Sequence, residues 1–148
     1  MKTVLAAGVF DLLHYGHIKY LEEAKKLGGP NARLVVIVAR DETVRRMKGH
    51  HPVIPEDQRR AVIEALKVVD EALLGYEDLD MDSVIQQVKP DIVAVGHDQD
   101  DIKEQVEKVK REHHLDIKVV QIGRFGKEDL DSSSKIKSRI VEGARKTT

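Results

Sequence analysis

The run Leu34-Val35-Val36-Ile37-Val38-Ala39, apolar throughout and rich in β-branched residues, constrains the fold of this chain more than any other segment. A strand covered on one face alternates apolar with polar residues, whereas an unbroken run of this length suits a strand buried on both faces, the habit of parallel sheets. Other short runs share its character: Thr3-Val4-Leu5-Ala6-Ala7, Val68 to Leu74, Asp91-Ile92-Val93-Ala94-Val95 and Ile117 to Ile122. Between them the period becomes helical. Ile18, Leu21, Ala24 and Leu27 recur on one face, with Lys19, Glu22, Glu23, Lys25 and Lys26 on the other, until Gly28-Gly29-Pro30-Asn31 makes a turn. Pro55 suits the first turn of a second helix, with Glu56 and Asp57 at its positive end and Ala61, Ile63, Ala65 and Leu66 behind. Further helices are expected around Asp82 to Val88 and from Asp100 to His114. Alternating strands and helices imply right-handed crossovers, so the expected fold is α/β: a Rossmann-like, doubly wound sheet of about five parallel strands in the order 3-2-1-4-5, with helices on both faces.

The 148 residues suffice for one domain, expected to span 1–148, with a core that needs no staples. Basic and acidic residues number 25 and 26, so no basic field points to long nucleic acid, and any anion site must be built locally. There is no cysteine, hence no disulfide framework and no thiolate chemistry. The longest apolar runs are too short to span a bilayer, and the chain enters a strand without a charged leader. A cytoplasmic protein with no membrane or nucleic-acid partner is expected.

Directly behind the first strand lies Gly8-Val9-Phe10-Asp11-Leu12-Leu13-His14-Tyr15-Gly16-His17, which reads as a nucleotide-phosphate site. Gly16 lets backbone approach a ligand, and free amides at the start of the following helix present the favourable end of its dipole to a phosphate. In the expected sheet, strands one and four flank the point where the winding reverses, which brings Gly96-His97-Asp98-Gln99 beside this motif. Taken alone, that tetrapeptide could equally be a polar turn capping the next helix. A third segment, Arg124-Phe125-Gly126 with Ser132-Ser133-Ser134-Lys135-Ile136-Lys137, sets hydroxyls, amides and cations at a helix start.

His14 and His17 have a spacing that can ligate a metal, yet no third ligand at a recognisable spacing accompanies them, which argues against zinc. His50, His51, His113 and His114 are expected on the surface. The charged stretch Arg40 to Gly49, with Arg45, Arg46 and Lys48, reads as a solvated face or as a cationic loop able to close over phosphates; Lys48 is favoured because Gly49 follows it. No Ser, Cys or Asp nucleophile comes with a dedicated base. An acceptor that is already a phosphate monoester would need none: it is anionic at neutral pH and could attack the α-phosphorus of a nucleoside triphosphate in line, given positioning and charge stabilisation.

The segment Gly8-Val9-Phe10-Asp11 with His14-Tyr15-Gly16-His17 resembles the signature of the cytidylyltransferase-like nucleotidyltransferase superfamily. Arg124 and Ser132-Ser133-Ser134-Lys135-Ile136 resemble its second phosphate motif. Val38 to Val44, Ile54 to Arg60 and Gly96 to Gln99 carry a finer similarity, to the archaeal FAD synthase group, kin of glycerol-3-phosphate cytidylyltransferase. That resemblance implies transfer of AMP from ATP to FMN, with CTP and glycerol 3-phosphate, or another small phosphorylated alcohol, as the alternative pair. A nucleotide-sensing module without turnover is the alternative of another class; His14, His17, Lys48 and Arg124 argue against it, because a sensor needs no groups aimed at a leaving pyrophosphate. By resemblance, His14, His17, Lys48 and Arg124 are the catalytic residues. Nucleotide contacts fall to Gly8, Val9, Phe10, Asp11, His14, Tyr15, Gly16, His17, Arg59, Gly96, Asp98, Arg124, Ser133, Ser134 and Lys135. Mg²⁺ or another divalent cation would be carried by the phosphates, with Asp11 as the one candidate protein ligand, and a homodimer is implied. Val9 stands where the family usually has Thr, and Asp131-Ser132 precedes the serine pair where Ile-Ser is usual.

Overall fold

The computed structural model describes residues 1–76, 80–123 and 133–147. Along the chain run β1 (Thr3–Gly8), α1 (Tyr15–Lys26), β2 (Arg33–Val38), α2 (Asp41–Lys48), α3 (Glu56–Glu64), β3 (Glu71–Leu74), α4 (Met81–Val88), β4 (Ile92–Val95), α5 (Asp100–Glu112), β5 (Lys118–Gln121) and α6 (Ser133–Thr147). The strands form one sheet in the order β3-β2-β1-β4-β5, and every pairing is parallel. The architecture is the expected α/β, Rossmann-like one. β1 lies at the centre, with Val4 opposite Leu34 on one side and Ile92 on the other.

Side chains alternate across the sheet, so β1 serves two cores. Val4 and Ala6 pack with Leu21 and Ala24 of α1 and Ile63 of α3. Leu5 and Ala7 face Met81, Val84 and Ile85 of α4 and Ile102, Val106 and Val109 of α5. Both faces of β2 are buried as well, which accounts for its lack of polar residues after Arg33. Carbonyls at the strand ends continue the ladder: Ala39 N donates to Gly8 O, Gly75 N to Val38 O and Ile122 N to Val95 O.

The structure departs from the periodicity in several places. α1 starts at Tyr15, ahead of the first apolar-periodic residue Ile18, because His14 and His17 cap it. The stretch Arg40 to Gly49, read as a solvated face or as a cationic loop, holds the helix α2, with Arg45, Arg46 and Lys48 exposed on it. Its charges fit a helix: Asp41 and Glu42 occupy the first turn, Arg45, Arg46 and Lys48 the last, and Gly49 ends it at φ 81°. Glu42 pairs with Arg45 and Arg46 one turn on. β3 begins at Glu71 and not at Val68, since Asp70 turns its carboxylate to cap the Leu34 amide at 2.7 Å and pair with Lys25 at 3.1 Å. No described helix is long and apolar enough to cross a membrane.

Candidate active site

A cavity of about 410 Å³ opens at the carboxyl ends of the strands. Gly8, Val9, Phe10, Asp11, His14, Gly16 and His17 line it from the β1–α1 turn, Lys48 from the end of α2, and Gly96, His97, Asp98 and Gln99 from the β4–α5 turn. The two segments expected to meet at the reversal of winding therefore share one space. Gln99 ties them together: its Oε1 accepts from Gly96 N at 2.7 Å and its Nε2 donates to Ala7 O at 2.8 Å. This bridge fixes the gap between β1 and β4 from which a ligand would be held.

Within the first motif, sterics set the backbone. Phe10 is buried and holds φ 53°, a conformation uncommon outside glycine, asparagine and aspartate. Its ring folds back over Gly8, where an added Cβ would lie 2.8 Å from Phe10 Cζ. Gly8 is therefore demanded by the Phe10 ring. The ring also meets His17 edge-on, centroids 5.3 Å apart.

The two histidines form a reciprocal cap. His14 Nδ1 accepts from Gly16 N at 3.1 Å, and His17 Nδ1 accepts from His14 N at 3.3 Å. A ring nitrogen that accepts carries no proton, so in each neutral imidazole the proton sits on Nε2, the nitrogen that can donate to a ligand. The rings stack with centroids 3.8 Å apart. Burial, then coulombic interaction with His14 and Lys48, lowers the pKa of His17 to about 3, so it is a neutral donor at physiological pH.

Asp11 and Arg59 do different work from that expected of them. Asp11 is 6% exposed; its oxygens accept from Val53 N at 2.9 Å, Ile54 N at 2.8 Å and Lys137 Nζ at 2.7 Å. Burial pushes its pKa up, but the Lys137, Val53 and Ile54 hydrogen bonds outweigh that and hold the carboxyl below its ordinary value. Both oxygens are thus engaged, which leaves Asp11 poorly suited as a cation ligand. Arg59, expected at phosphates, is 1% exposed and does not line the cavity. Its guanidinium donates to Ile54 O, Val9 O and Ala39 O, each at 2.8 Å, and pairs with Asp41 at 2.6 Å. It is a buried strut joining the first motif to the ends of β2 and α3. Tyr15 lies outside the cavity, its ring in solvent with Lys19 Nζ 5.7 Å from the centroid. Arg124 and Ser132 lie outside the described residues; Ser133, Ser134 and Lys135 open α6, and their side chains lie outside the described set too.

This geometry agrees with what the chain resembles. The cytidylyltransferase-like family profile matches residues 5–139. The FAD synthase of Methanopyrus kandleri is 48% identical over 141 residues, covering 95% of this chain and 93% of that protein. The chain belongs to the cytidylyltransferase-like family and, within it, to the FAD synthases. That of Methanothermobacter marburgensis is 50% identical over 141 residues, covering 95% of this chain and 86% of its own. Among solved structures, a protein described as a lipopolysaccharide core biosynthesis protein from Thermoplasma volcanium superposes with TM-score 0.76 at 46% identity, over 85% of this chain and 99% of that one. Pantothenate synthetase of Thermus thermophilus, at 14% identity and TM-score 0.63 over 87% of this chain and 58% of that one, shares the fold.

As a FAD synthase family member the chain is a nucleotidyltransferase, and its cavity contains more than the sequence motifs foretell. Ile37, Val44, Met47, Tyr76, Met81, Val84 and Ile102 give it an apolar wing. These residues come from separate elements, and in the sequence each reads as core or surface. Lys137 also lines the cavity and joins α6 to Asp11, a link foreshadowed only by its place at the end of the Ser-Lys-Ile-Lys run. Tyr20, whose hydroxyl donates to Ala94 O at 2.7 Å, closes the floor; burial raises its pKa, so it stays a neutral donor.

Proposed function

We propose that this chain, acting as one nucleotidyltransferase domain over residues 1–148, transfers AMP from ATP to FMN, giving FAD and pyrophosphate. The observation that carries the choice of acceptor is the apolar wing beside the histidine pair: a flavin ring needs such a slot, whereas a small phosphorylated polyol needs a tight polar pocket. An FMN phosphate oxygen attacks the α-phosphorus of ATP; the new O–Pα bond forms as the bond to the β-phosphate oxygen breaks. The acceptor is anionic already, so no general base is required. His14 and His17 donate through Nε2–H to the oxygens that gain charge as pyrophosphate leaves, and Lys48, elsewhere on the cavity lining, adds a cation for the phosphates. Arg124, which follows β5 in the chain, and Ser133, Ser134 and Lys135 at the start of α6 complete the phosphate contacts, and Gly96 and Asp98 face the nucleoside.

The cavity's donor set suits a divalent cation, Mg²⁺ or another, held by the phosphates. Asp11 is spent on Val53, Ile54 and Lys137, while Asp98 and Asp101 line the cavity and could meet the cation's water shell. Such an ion would neutralise part of the triphosphate charge. A cytoplasmic homodimer is the expected working form. The test is to incubate the protein with Mg²⁺, either ATP or CTP, and either FMN or glycerol 3-phosphate, and to measure pyrophosphate. Release with ATP and FMN is expected. Release only with CTP and the polyol phosphate would replace the acceptor and nucleotide together, and no release with any pair would leave a sensing module.

A further inference from the structure

The sheet order divides the cavity into two halves. Gly96 and Asp98 follow β4 on one side of β1, whereas Met47 and Lys48 on α2 follow β2, and Tyr76 follows β3, on the other. Neighbouring strands lie about 4.8 Å apart, so the end of β3, which Tyr76 follows, lies roughly 10 Å across the sheet from β1, whose end leads to the histidine turn. Polar groups crowd the β4 half. The β2–β3 half is mostly apolar, with Lys48 and His50 as its polar side chains.

Two side chains on that half bear large apolar surfaces that face solvent: Tyr76 is 44% exposed and Met47 53%. Tyr76 is nevertheless held in place. Its hydroxyl donates to Gln87 Oε1 at 3.0 Å, and Arg40 Nε fixes the preceding carbonyl, Gly75 O, at 2.7 Å. A ring already tethered at both ends loses little freedom when a planar ligand covers it. Met47, unbranched and polarizable, can adapt to the opposite surface of such a ligand. Beside it Lys48 offers a cation, so this half matches a flat apolar ring joined to a phosphate.

We propose that Tyr76, with Met47, forms the acceptor-specificity surface, on which the isoalloxazine ring lies while Lys48 meets the acceptor phosphate. This rests on FMN being the acceptor. The test compares wild type with Tyr76→Ala, Tyr76→Phe and Met47→Ser in steady-state assays varying FMN and ATP separately, with riboflavin, which keeps the ring and lacks the phosphate, as inhibitor. Tyr76→Ala should raise KM for FMN by about tenfold or more and that for ATP by less than about twofold, the scale of losing one aromatic stack. Riboflavin should compete with FMN in wild type and in Tyr76→Phe, and lose that effect in Tyr76→Ala. Met47→Ser, at an exposed position, should raise KM for FMN several-fold in a folded protein. Unchanged KM for FMN with undiminished riboflavin inhibition in Tyr76→Ala would overturn the proposal while wild-type turnover of FMN left the function standing. Equal rises in both KM values would overturn it in the same way, as a structural effect. A wild type that neither binds nor adenylylates FMN would overturn function and proposal together.

Discussion

The neutral state of His17 makes a quantitative prediction about stability. Burial, together with coulombic interaction with His14 and Lys48, lowers its pKa to about 3 in the folded chain from 6.5 in the unfolded one. Between those values the unfolded chain binds a proton that the folded chain refuses, so folding stability rises with pH across that window and falls as the solution is acidified. From pH 7 to pH 5 the unfolded state gains about 2 kcal/mol from protonating this one residue, since each pH unit below 6.5 contributes about 1.4 kcal/mol. The carboxylates Asp11 and Asp70 do not interfere. Their folded pKa values are depressed, so their stabilisation persists above the unfolded value of 3.8 and fades only below it. The comparison is urea unfolding of wild type and of His17→Gln at both pH values. Glutamine at the third helical position can still accept from the His14 amide, as in an ordinary capping box, but does not titrate. Wild type should lose about 2 kcal/mol more than the variant on acidification. Equal losses would refute the assignment of a neutral, half-buried His17, and with it the claim that the ring acts as an uncharged donor.

Two substitutions probe the neighbouring machinery. Arg59→Met strips three carbonyls and Asp41 of a buried partner; scanning calorimetry should show a loss of about 3–5 kcal/mol, lowering Tm by roughly 10 °C, and an unshifted Tm would show that the strut is dispensable. His14→Ala removes the Gly16 cap and one Nε2–H donor, so kcat in the pyrophosphate assay should fall on the order of 10²-fold, whereas wild-type kcat would remove His14 from the chemistry.

Much of the fold was legible because burial writes itself into periodicity. Unbroken apolar runs belong to strands covered on both faces, and β2 and the central β1 are such strands. Short connections and right-handed crossovers then leave few ways to order the strands, and the observed order is the expected one. Element ends were less legible. Charges ahead of Gly49 left a solvated face and a loop both open although they are arranged as a helix terminus, and the start of α1 was hidden because histidines are unusual caps.

The amino-acid order by itself determined the α/β architecture and the segments that carry polar chemistry, since a glycine, two histidines and a strand-to-helix turn are local facts. Tertiary structure alone decided what each polar group is free to do. Asp11 and Arg59 look like ligand contacts in sequence, yet burial obliges them to satisfy backbone groups tens of residues away. The apolar wing likewise exists only after folding, because Val44, Met47, Tyr76, Met81 and Val84 have no shared periodicity and meet where separate elements reach one end of the sheet.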